Sequence, residues 1–272
     1  MKTLSIIVLI TATFLLFQKS RTPTVSTITG DAMGTTWSLR CEDAEQYRPL
    51  VYRILSEQEN ILSHWRANSE ISRLNAGQIT EVSTELKRAI NLAEHFKAET
   101  RGAFDHTLLR QTQAAGFAPL LATEKHNYDL SAMAKGYCID LLTATLREHG
   151  LINFVIELGG ECYASGTQDD GTPWPVLIPS PTGGEGVTVY LSNQAIATSG
   201  NYQQVAKIEN KLISSHLIAP NTGKPHLAKP SSVSIIANDC ATADAYATAL
   251  FINPKLVLPE NTKAITLPET KP

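Results

Sequence analysis

Cysteine is scarce in this sequence, and its few occurrences form no metal-binding pattern. The chain contains four cysteines, at positions 41, 138, 162 and 240, with no C-x-x-C pair among them. Their wide spacing argues against a zinc site, and isolated cysteines in apolar segments are usually core residues. An oxidising compartment would permit a disulfide, but the spacing assigns no pairing.

Excess charge and the self-sufficient catalytic motifs are also absent. The net charge is −3 over 272 residues, so the chain lacks basic character and we expect no nucleic-acid partner. It contains no G-x-S-x-G, no P-loop, no H-E-x-x-H and no full G-x-G-x-x-G. With 43% hydrophobic and 18% charged residues, the composition is that of a globular chain of one or two domains.

The N-terminus has the features of an export signal. A basic Lys2 precedes an apolar run from Leu4 to Phe17. The run has the length of a signal peptide and is short for a permanent membrane span, yet no small-x-small cleavage site follows it. We therefore expect residues 1–21 to be a signal peptide or a signal anchor, 22–29 a linker, and 30–272 the functional domain.

Hydrophobic periodicity predicts helices followed by strands. Apolar residues recur at helical spacing over 44–62, after the N-cap candidate Ser83, and from Ser131 to Gly150. A further helix is predicted over Thr242–Phe251, and the tail from Pro254 is expected to be exposed. The predicted strands are 35–39, 153–158, 161–165, 174–178, 187–191, 195–198 and 232–237. This order predicts a single compact α+β domain with N-terminal helices, a mostly antiparallel sheet and a helix in the C-terminal region.

The last predicted helix carries a carboxylate and a hydroxyl on one face. Asp244 and Thr248 are four residues apart, and the positions around them are mostly alanine. Two oxygen ligands one turn apart suit a hard cation such as Mg²⁺, which completes its shell with waters and substrate phosphates. A carboxylate that interacts with the helix dipole, beside an ordinary threonine, has the same spacing. The spacing alone leaves both interpretations open.

Residues 128–140 turn into a helix that has a lysine in its first turn. Free N–H groups at a helix N-terminus attract phosphates, and Lys135 adds positive charge where the helix dipole disfavours it. An anion site fits this pattern, and so does a simple N-cap at Asp129 or Ser131 with a solvated lysine. The pair Gly159-Gly160 fits either a tight turn or the close approach of a ligand to the backbone.

Two further polar segments complete the set. Thr198-Ser199-Gly200 ends a predicted strand, and His216-Leu217 precedes a turn that contains Pro220 and Gly223. A histidine in this position would serve as a general base, and a structural histidine satisfied by its neighbours fits equally.

Taken together and in this order, these segments resemble the ApbE family, the FAD:protein FMN transferases. The resemblance runs from Gly30 to about Phe251 and has eight elements. They are Ala32-Met33-Gly34-Thr35 with Trp37, Leu62-Ser63-His64-Trp65 through Ser69 to Asn75, Gly102-Ala103-Phe104-Asp105, Asp129 to Asp140, Leu158-Gly159-Gly160, Thr198-Ser199-Gly200 with Tyr202, Ser215-His216 with Pro220 and Thr222-Gly223, and Ala243-Asp244-Ala245 with Thr248-Ala249-Leu250. Each element is short, but eight in the family's order are specific.

The resemblance implies an ApbE/T-fold-like enzyme in the bacterial periplasm or on the outer face of the inner membrane. Such enzymes use Mg²⁺, take FAD as substrate, release AMP and join FMN by a phosphoester to a Thr or Ser hydroxyl of an acceptor protein, usually a membrane electron-transfer subunit. Asp244, Thr248 and the carbonyl of Ala132 would hold the metal, and Asp244 and His216 would be catalytic, His216 by activating the acceptor hydroxyl. The residues expected in the FAD site are Met33, Trp65, Ala103, Phe104, Asp105, Asp129, Lys135, Gly159, Gly160, Thr198, Ser199, Gly200 and Leu217.

Several positions depart from the family's pattern. His106 follows Asp105 where a proline is usual, Ala219 replaces an aspartate before Pro220, and Asn201 replaces another aspartate. These changes would affect acceptor docking or flavin affinity and leave the metal site in place. Two other functions would use the same site, a Mg²⁺-dependent FAD pyrophosphatase that gives free FMN and AMP, and a non-catalytic FAD-binding protein.

Overall fold

The structure is a computed structural model that describes residues 24–119, 125–200, 205–208, 212–226 and 231–267, with only the backbone described for 205–208 and 212–215. The expected signal peptide or anchor, residues 1–21, lies outside the described residues. Within them, no helix is both long and apolar enough to cross a membrane.

The helices and strands alternate along the chain more than the sequence predicted. The strands are β1 (Val25–Ala32), β2 (Thr35–Glu42), β3 (Phe154–Leu158), β4 (Glu161–Ser165), β5 (Trp174–Ile178), β6 (Val187–Leu191), β7 (Gln194–Gly200), β8 (Val205–Ile208), β9 (Leu212–Ser215), β10 (Ile218–Ala219), β11 (Lys224–Pro225), β12 (Ser232–Ala237) and β13 (Lys263–Leu267). The helices are α1 (Arg48–Leu62, after a 3-10 turn at Ala44–Tyr47), α2 (Glu70–Asn75), α3 (Thr84–Glu99), α4 (Leu109–Ala114), α5 (Ala134–Glu148) and α6 (Cys240–Ile252).

A seven-stranded sheet is the centre of the fold. Its strand order is β1-β2-β3-β4-β7-β12-β13, and every neighbouring pair is antiparallel. Two-residue turns join β1 to β2 at Met33-Gly34 and β3 to β4 at Gly159-Gly160. The α+β class and the mostly antiparallel sheet are therefore confirmed.

Both faces of the sheet are covered. Helix α5 packs on β3 and β4, α6 packs on β7 and β12, and the two helices contact each other. The β5–β6 hairpin lies on the opposite face, where Trp174 and Leu191 pack against Cys162 and Ile196. Because both of their faces are covered, β4 and β12 are buried at every position.

The helix starts have identifiable caps. Ser83 accepts a hydrogen bond from the N–H of Leu86, so the predicted N-cap of α3 is confirmed. Helix α6 begins two residues earlier than predicted, after the N-cap Asp239. Asp140 of α5 accepts hydrogen bonds from the N–H groups of Cys240 and Ala241 at 2.7 and 2.8 Å. These contacts extend the start of α6 and tie it to α5.

Other boundaries predicted from the sequence also differ from those in the structure. Most of the linker expected over 22–29 belongs to β1, whose polar side chains are mostly exposed and whose backbone is paired with β2. The tail beyond Pro254 is not merely exposed, since it contains β13, which pairs with β12. Helix α5 starts at Ala134 rather than Ser131 because turns occupy residues 131–133. The cysteines are all buried free thiols, as expected of core residues.

Candidate active site

The strand register brings several of the predicted segments to one end of the sheet. The Met33-Gly34 turn, the Gly159-Gly160 turn and the end of β7 at Thr198–Gly200 lie on the same side of the paired strands. A cavity of about 620 Å³ opens there. The first turn of α5, one face of α6, strand β5 and the loops around Trp65, Asp105, Asp129 and His216 also contribute to its wall.

The glycine turn is needed for both its backbone conformation and its size. Gly159 and Gly160 have φ angles of 63° and 105°, which L side chains rarely adopt. A Cβ on Gly159 would lie 2.8 Å from Cγ2 of Thr35 and 3.2 Å from Cδ of Lys135. The glycine therefore leaves room for the lysine side chain to pass along the turn.

Asp244 joins α6 to the start of α5. Its Oδ2 accepts a hydrogen bond from the N–H of Gly136 at 3.1 Å. In a regular helix that N–H would donate to the carbonyl of Ala132, four residues earlier. Among the described residues, nothing donates a hydrogen bond to this carbonyl, and Ala132 lines the cavity with Asp244. The residues that line the cavity at this helix start thus include a carbonyl without a donor among the described residues and a carboxylate.

Lys135 is shared between two buried carboxylates. Its Nζ lies 3.1 Å from Oε1 of Glu161. Burial alone would lower the pKa of Lys135, but the charges of Asp244 and Glu161 outweigh it and raise that pKa. Burial raises the pKa of both Glu161 and Asp244, and the charge of Lys135 lowers both. The net shift is upward, because one ammonium only partly compensates two carboxylates. This part of the wall therefore favours additional positive charge.

Thr248 lies against the end of β7. Its Oγ1 is 2.8 Å from Oγ of Ser199, and both residues line the cavity. At the preceding position of β7, Oγ1 of Thr198 forms a hydrogen bond of 2.7 Å with Oγ of Ser234 in β12. Strand β7 therefore fixes the hydroxyl of Thr248, while Gly136 fixes the carboxylate of Asp244 one turn earlier.

A buried His–Asp pair forms another part of the wall. Nδ1 of His64 lies 3.3 Å from Oδ1 of Asp129, and both side chains are about 5% exposed. Thr112 donates to Oδ2 of Asp129 at 2.7 Å, and the N–H of Ser131 donates to Oδ1 at 3.0 Å. Burial alone would raise the pKa of Asp129, but the charge of His64 and these hydrogen bonds lower it. Burial alone would lower the pKa of His64, but Asp129 raises it.

Asp105 occupies a polar corner of the cavity. Lys97 lies 2.9 Å from Oδ1 of Asp105, and Thr107 donates to the same oxygen through its N–H and its hydroxyl. Burial alone would raise the pKa of Asp105, but these contacts lower it, so the carboxylate is ionised at neutral pH. Trp65 lies at the surface of the cavity, and its side chain is 61% exposed.

One residue expected in the FAD site does not line the cavity. Phe104 is buried in the main core, where its ring packs edge-to-face on Phe96 at 6.0 Å. Its role is to hold the loop that carries the two lining residues beside it, Ala103 and Asp105. The backbone N–H of Phe104 is anchored by the hydroxyl of Thr100 at 3.0 Å.

The other predicted site residues all meet at this cavity. His216 and Leu217 reach it from the segment between β9 and β10, and the rings of His216 and Phe117 are 6.1 Å apart. Met33, in the turn at φ 52°, has its Sδ 3.5 Å from Sγ of Cys138. The remaining predicted residues in the wall are Trp65, Ala103, Asp105, Asp129, Ala132, Lys135, Gly159, Gly160, Thr198, Ser199, Gly200, Asp244 and Thr248.

Comparison with known proteins identifies the family. The sequence profile of the ApbE family matches residues 33–128 and 120–259. The chain belongs to the ApbE family. Among its curated relatives, a FAD:protein FMN transferase of Vibrio cholerae is 28% identical over 83% of this chain and 80% of its own length. One from Klebsiella pneumoniae is 27% identical over 84% of this chain and 79% of its own length.

Solved ApbE structures have the same fold. The flavin transferase ApbE from Vibrio cholerae superposes with a TM-score of 0.73 at 24% identity, covering 89% of this chain and 97% of that one. The ApbE protein from Thermotoga maritima gives 0.74 at 24% identity, covering 84% and 87%. The enzyme class expected from the sequence agrees with the names of these ApbE relatives.

Three side chains at this site had no role predicted from the sequence, namely Glu161 and His64, which line the cavity, and Lys97, which contacts Asp105. Glu161 directly follows the glycine pair, and its place at the first position of β4 could have suggested an inward carboxylate. His64 precedes Trp65 in one of the segments that resemble the ApbE family, and only the fold shows its contact with Asp129. Lys97 is one of several charged residues of α3, and nothing in the sequence distinguishes it from the solvated ones.

Proposed function

We propose that this chain transfers FMN from FAD to a Thr or Ser hydroxyl of an acceptor protein, with Mg²⁺ required and AMP released. The observation that carries the proposal is the joint arrangement at the start of α5. There Lys135, Asp244, Thr248 and Ala132 line one cavity. Such a set suits a pyrophosphate with its counter-ion, because phosphoryl transfer depends mainly on positioning and charge neutralisation.

The residues present fit a magnesium ion. Among the described residues, no three His, Cys, Asp or Glu side chains cluster as a metal site. A bound metal would therefore use few carboxylates and draw on hydroxyl, carbonyl, water and phosphate oxygens, as Mg²⁺ does. Buried Oε2 of Glu161 has no hydrogen-bond partner among those residues, which also favours positive charge or a metal-bound water nearby. Asp244, Thr248 and Ala132 would hold the ion, which would supply charge neutralisation at the pyrophosphate.

Other residues of the cavity would transfer the proton and bind the phosphates and the ring system of the substrate. In the proposed reaction the acceptor oxygen forms a bond to the phosphorus of the FMN half, and the bond from that phosphorus to the AMP oxygen breaks. His216 would take the proton from the acceptor hydroxyl. Lys135 would lie beside the phosphate oxygens, and the wall around Trp65 and Met33 would bind the ring system of FAD.

Export and a membrane-associated acceptor belong to the same proposal. The basic Lys2 and the apolar run from Leu4 to Phe17 support delivery to the periplasm or to the outer face of the inner membrane. An acceptor at that location would be a subunit of an electron-transfer complex. The two variants of the reaction, FAD hydrolysis and FAD binding without turnover, would use the same cavity and are separated by the product that forms.

The test compares Asp244→Asn with the unaltered protein and with Asp239→Asn. The amide of the first variant still accepts the hydrogen bond from Gly136, so the variant removes charge and keeps the helix contact. Asp239 caps the same helix and does not line the cavity, and asparagine is also a good N-cap. Each protein is mixed with FAD, Mg²⁺ and a candidate acceptor domain that contains a flavinylation-site threonine.

Flavin fluorescence of the acceptor in a denaturing gel is the readout. Asp244→Asn should slow transfer by about a hundredfold or more, as expected when a group that stabilises transition-state charge is lost, and Asp239→Asn should not. Full activity of Asp244→Asn would overturn the metal assignment. Release of free FMN and AMP without labelled acceptor would establish the hydrolase instead, and unchanged FAD would indicate a binding protein.

A further inference from the structure

The imidazole of His64 has one partnered and one unpartnered nitrogen. Its Nδ1 is 3.3 Å from Asp129, whereas its Nε2 is buried and has no hydrogen-bond partner among the described residues. The side chain is 5% exposed and forms part of the cavity wall. A buried polar atom without a partner is rare in folded proteins and is costly. An acceptor atom of a ligand that reaches this nitrogen would satisfy it.

The surroundings of His64 favour a proton on this nitrogen as well as on Nδ1. Asp129 is fixed by Thr112 and by the N–H of Ser131, so its Oδ1 stays directed at Nδ1 of His64. A carboxylate at Nδ1 keeps a proton on that nitrogen and favours the doubly protonated ring. In that form Nε2 carries a hydrogen and donates.

The position of the pair relates His64 to the proposed substrate. Asp129 lies three residues before Ala132, which lines the same cavity as Asp244. On its other side, the His64 ring is 5.8 Å from the ring of Trp65, which is exposed at the cavity surface. His64 therefore lies between the proposed pyrophosphate region and an open aromatic face.

We propose that Nε2–H of His64 donates a hydrogen bond to an acceptor atom of the bound FAD, and that Asp129 positions the ring for this contact. The inference rests on the proposed function, since it deepens the description of the same cavity. Acceptor atoms are present on the flavin ring, on the adenine and on the phosphates. Titrations with FMN and with AMP distinguish these sources.

The decisive variants are His64→Asn and His64→Gln. Asparagine places a donor near the position of Nδ1, so it keeps a contact with Asp129 but has no atom at the position of Nε2. Glutamine places its amide near Nε2 and restores the donor to the ligand. His106→Asn is the matched control, because His106 is buried, faces Glu94 at 3.4 Å, has an unpartnered Nδ1 among the described residues, and does not line the cavity.

Affinity for FAD is measured by calorimetry with Mg²⁺ and without acceptor. His64→Asn should weaken FAD binding by about ten- to a hundredfold, the effect of losing a hydrogen bond from a charged donor. His64→Gln should recover at least part of that loss, and His106→Asn should bind like the unaltered protein. If His64→Asn weakens the binding of FMN but not of AMP, the acceptor atom lies on the flavin half of FAD. If it weakens the binding of AMP but not of FMN, the acceptor atom lies on the adenosine half.

Affinity of a folded His64→Asn within twofold of the unaltered protein would overturn the inference, and so would equal losses in the His106→Asn control. A measurement on the unaltered chain removes any dependence on how the variants fold. With ¹⁵N-labelled histidine, FAD should shift the Nε2 signal of His64, and an unchanged signal in FAD-saturated protein would also overturn it. If the unaltered chain binds no FAD, the proposed function fails together with the His64 contact. If it binds FAD and the His64 variants bind equally well, only the His64 contact fails.

Discussion

Gly136→Ala tests the close packing that holds Asp244 in place. Gly136 is the third residue of α5, and its N–H donates to Asp244. Helix propensity alone predicts that alanine at this position would stabilise the protein by up to about 1 kcal/mol. The structure predicts the opposite sign, because α6 lies directly against the glycine.

The size of the effect follows from the contacts of an added methyl group. A Cβ on Gly136 would overlap the carbonyl oxygen of Cys240 and lie 2.7 Å from its carbonyl carbon and 2.9 Å from Cα of Ala241. These are main-chain atoms, so no side-chain rotation relieves the overlap and α6 must shift. Overpacking of this kind costs about 1–3 kcal/mol. After a propensity gain of up to about 1 kcal/mol is subtracted, we expect a net loss of up to about 2 kcal/mol.

Urea unfolding and thermal unfolding measure this loss directly. A loss of up to about 2 kcal/mol corresponds to a decrease in Tm of up to about 8 °C in a domain of this size. Transfer activity should decrease further, because a shift of α6 moves Asp244 away from the start of α5. Asn91→Ala, at an exposed position inside α3, is the control and should raise stability slightly.

A Gly136→Ala protein that is as stable as the unaltered protein, or more stable, would contradict this prediction. That result would mean that the two helices separate at no cost and that their close approach does not position Asp244.

Three other predictions concern the supports of the cavity. Asp140→Ala should lower the free energy of unfolding by about 1–3 kcal/mol in urea titrations, because the N–H groups of Cys240 and Ala241 lose their acceptors; an unchanged midpoint would contradict it. Gly159→Ala and Gly171→Ala both place alanine at a positive φ, which should lower the free energy of unfolding by about 1–2 kcal/mol in each case. Only the alanine at position 159 crowds Thr35 and Lys135. Calorimetry should therefore show weaker FAD binding for Gly159→Ala alone, and equal affinities would contradict the crowding. The pKa of His64 is raised above its ordinary 6.5, and the pKa of Asp129 is lowered below its ordinary 3.8. The stability that His64 contributes is therefore complete below pH 6.5 and is lost as the pH rises through the pKa of His64 in the folded protein. The stability that Asp129 contributes is lost as the pH falls through the pKa of Asp129 in the folded protein. The loss of stability in His64→Asn should thus be larger at mildly acidic than at alkaline pH, and equal losses at both would count against the ion pair.

Local patterns predicted much of the secondary structure. The alternation and turn residues of β3 to β6 placed those strands within a residue of their observed bounds, because short strands between Gly, Pro and Asn have few alternatives. Ser83 marked the start of α3 correctly, since an N-cap is a contact between neighbours in sequence. Strand β1 was missed because it is mostly polar, and β13 because its five residues lie in a tail rich in proline and charge. Both are edge strands held by backbone pairing that sequence patterns do not reveal.

In the candidate site, too, some features were predicted from the local sequence and others depend on the fold. Spacing by itself placed Asp244 and Thr248 on one helix face, and the order of the short motifs indicated the ApbE family. Phe104 was assigned to the FAD site from its motif, and the structure places its ring in the core beside Phe96. A motif identifies a loop, but which side chain of the loop points inward depends on how that loop is anchored.

The amino-acid sequence by itself determined the elements that depend on neighbours along the chain, such as helix faces, caps and tight glycine turns, and through motif order it determined the family. Only the tertiary structure decided which charges share one space. The contacts of Lys135 with Glu161, of His64 with Asp129 and of Asp140 with the start of α6 join residues that are 26, 65 and 100 positions apart. Such contacts arise from the packing of α5 and α6 on the antiparallel sheet, and their electrostatic effects come from burial, which no local pattern specifies.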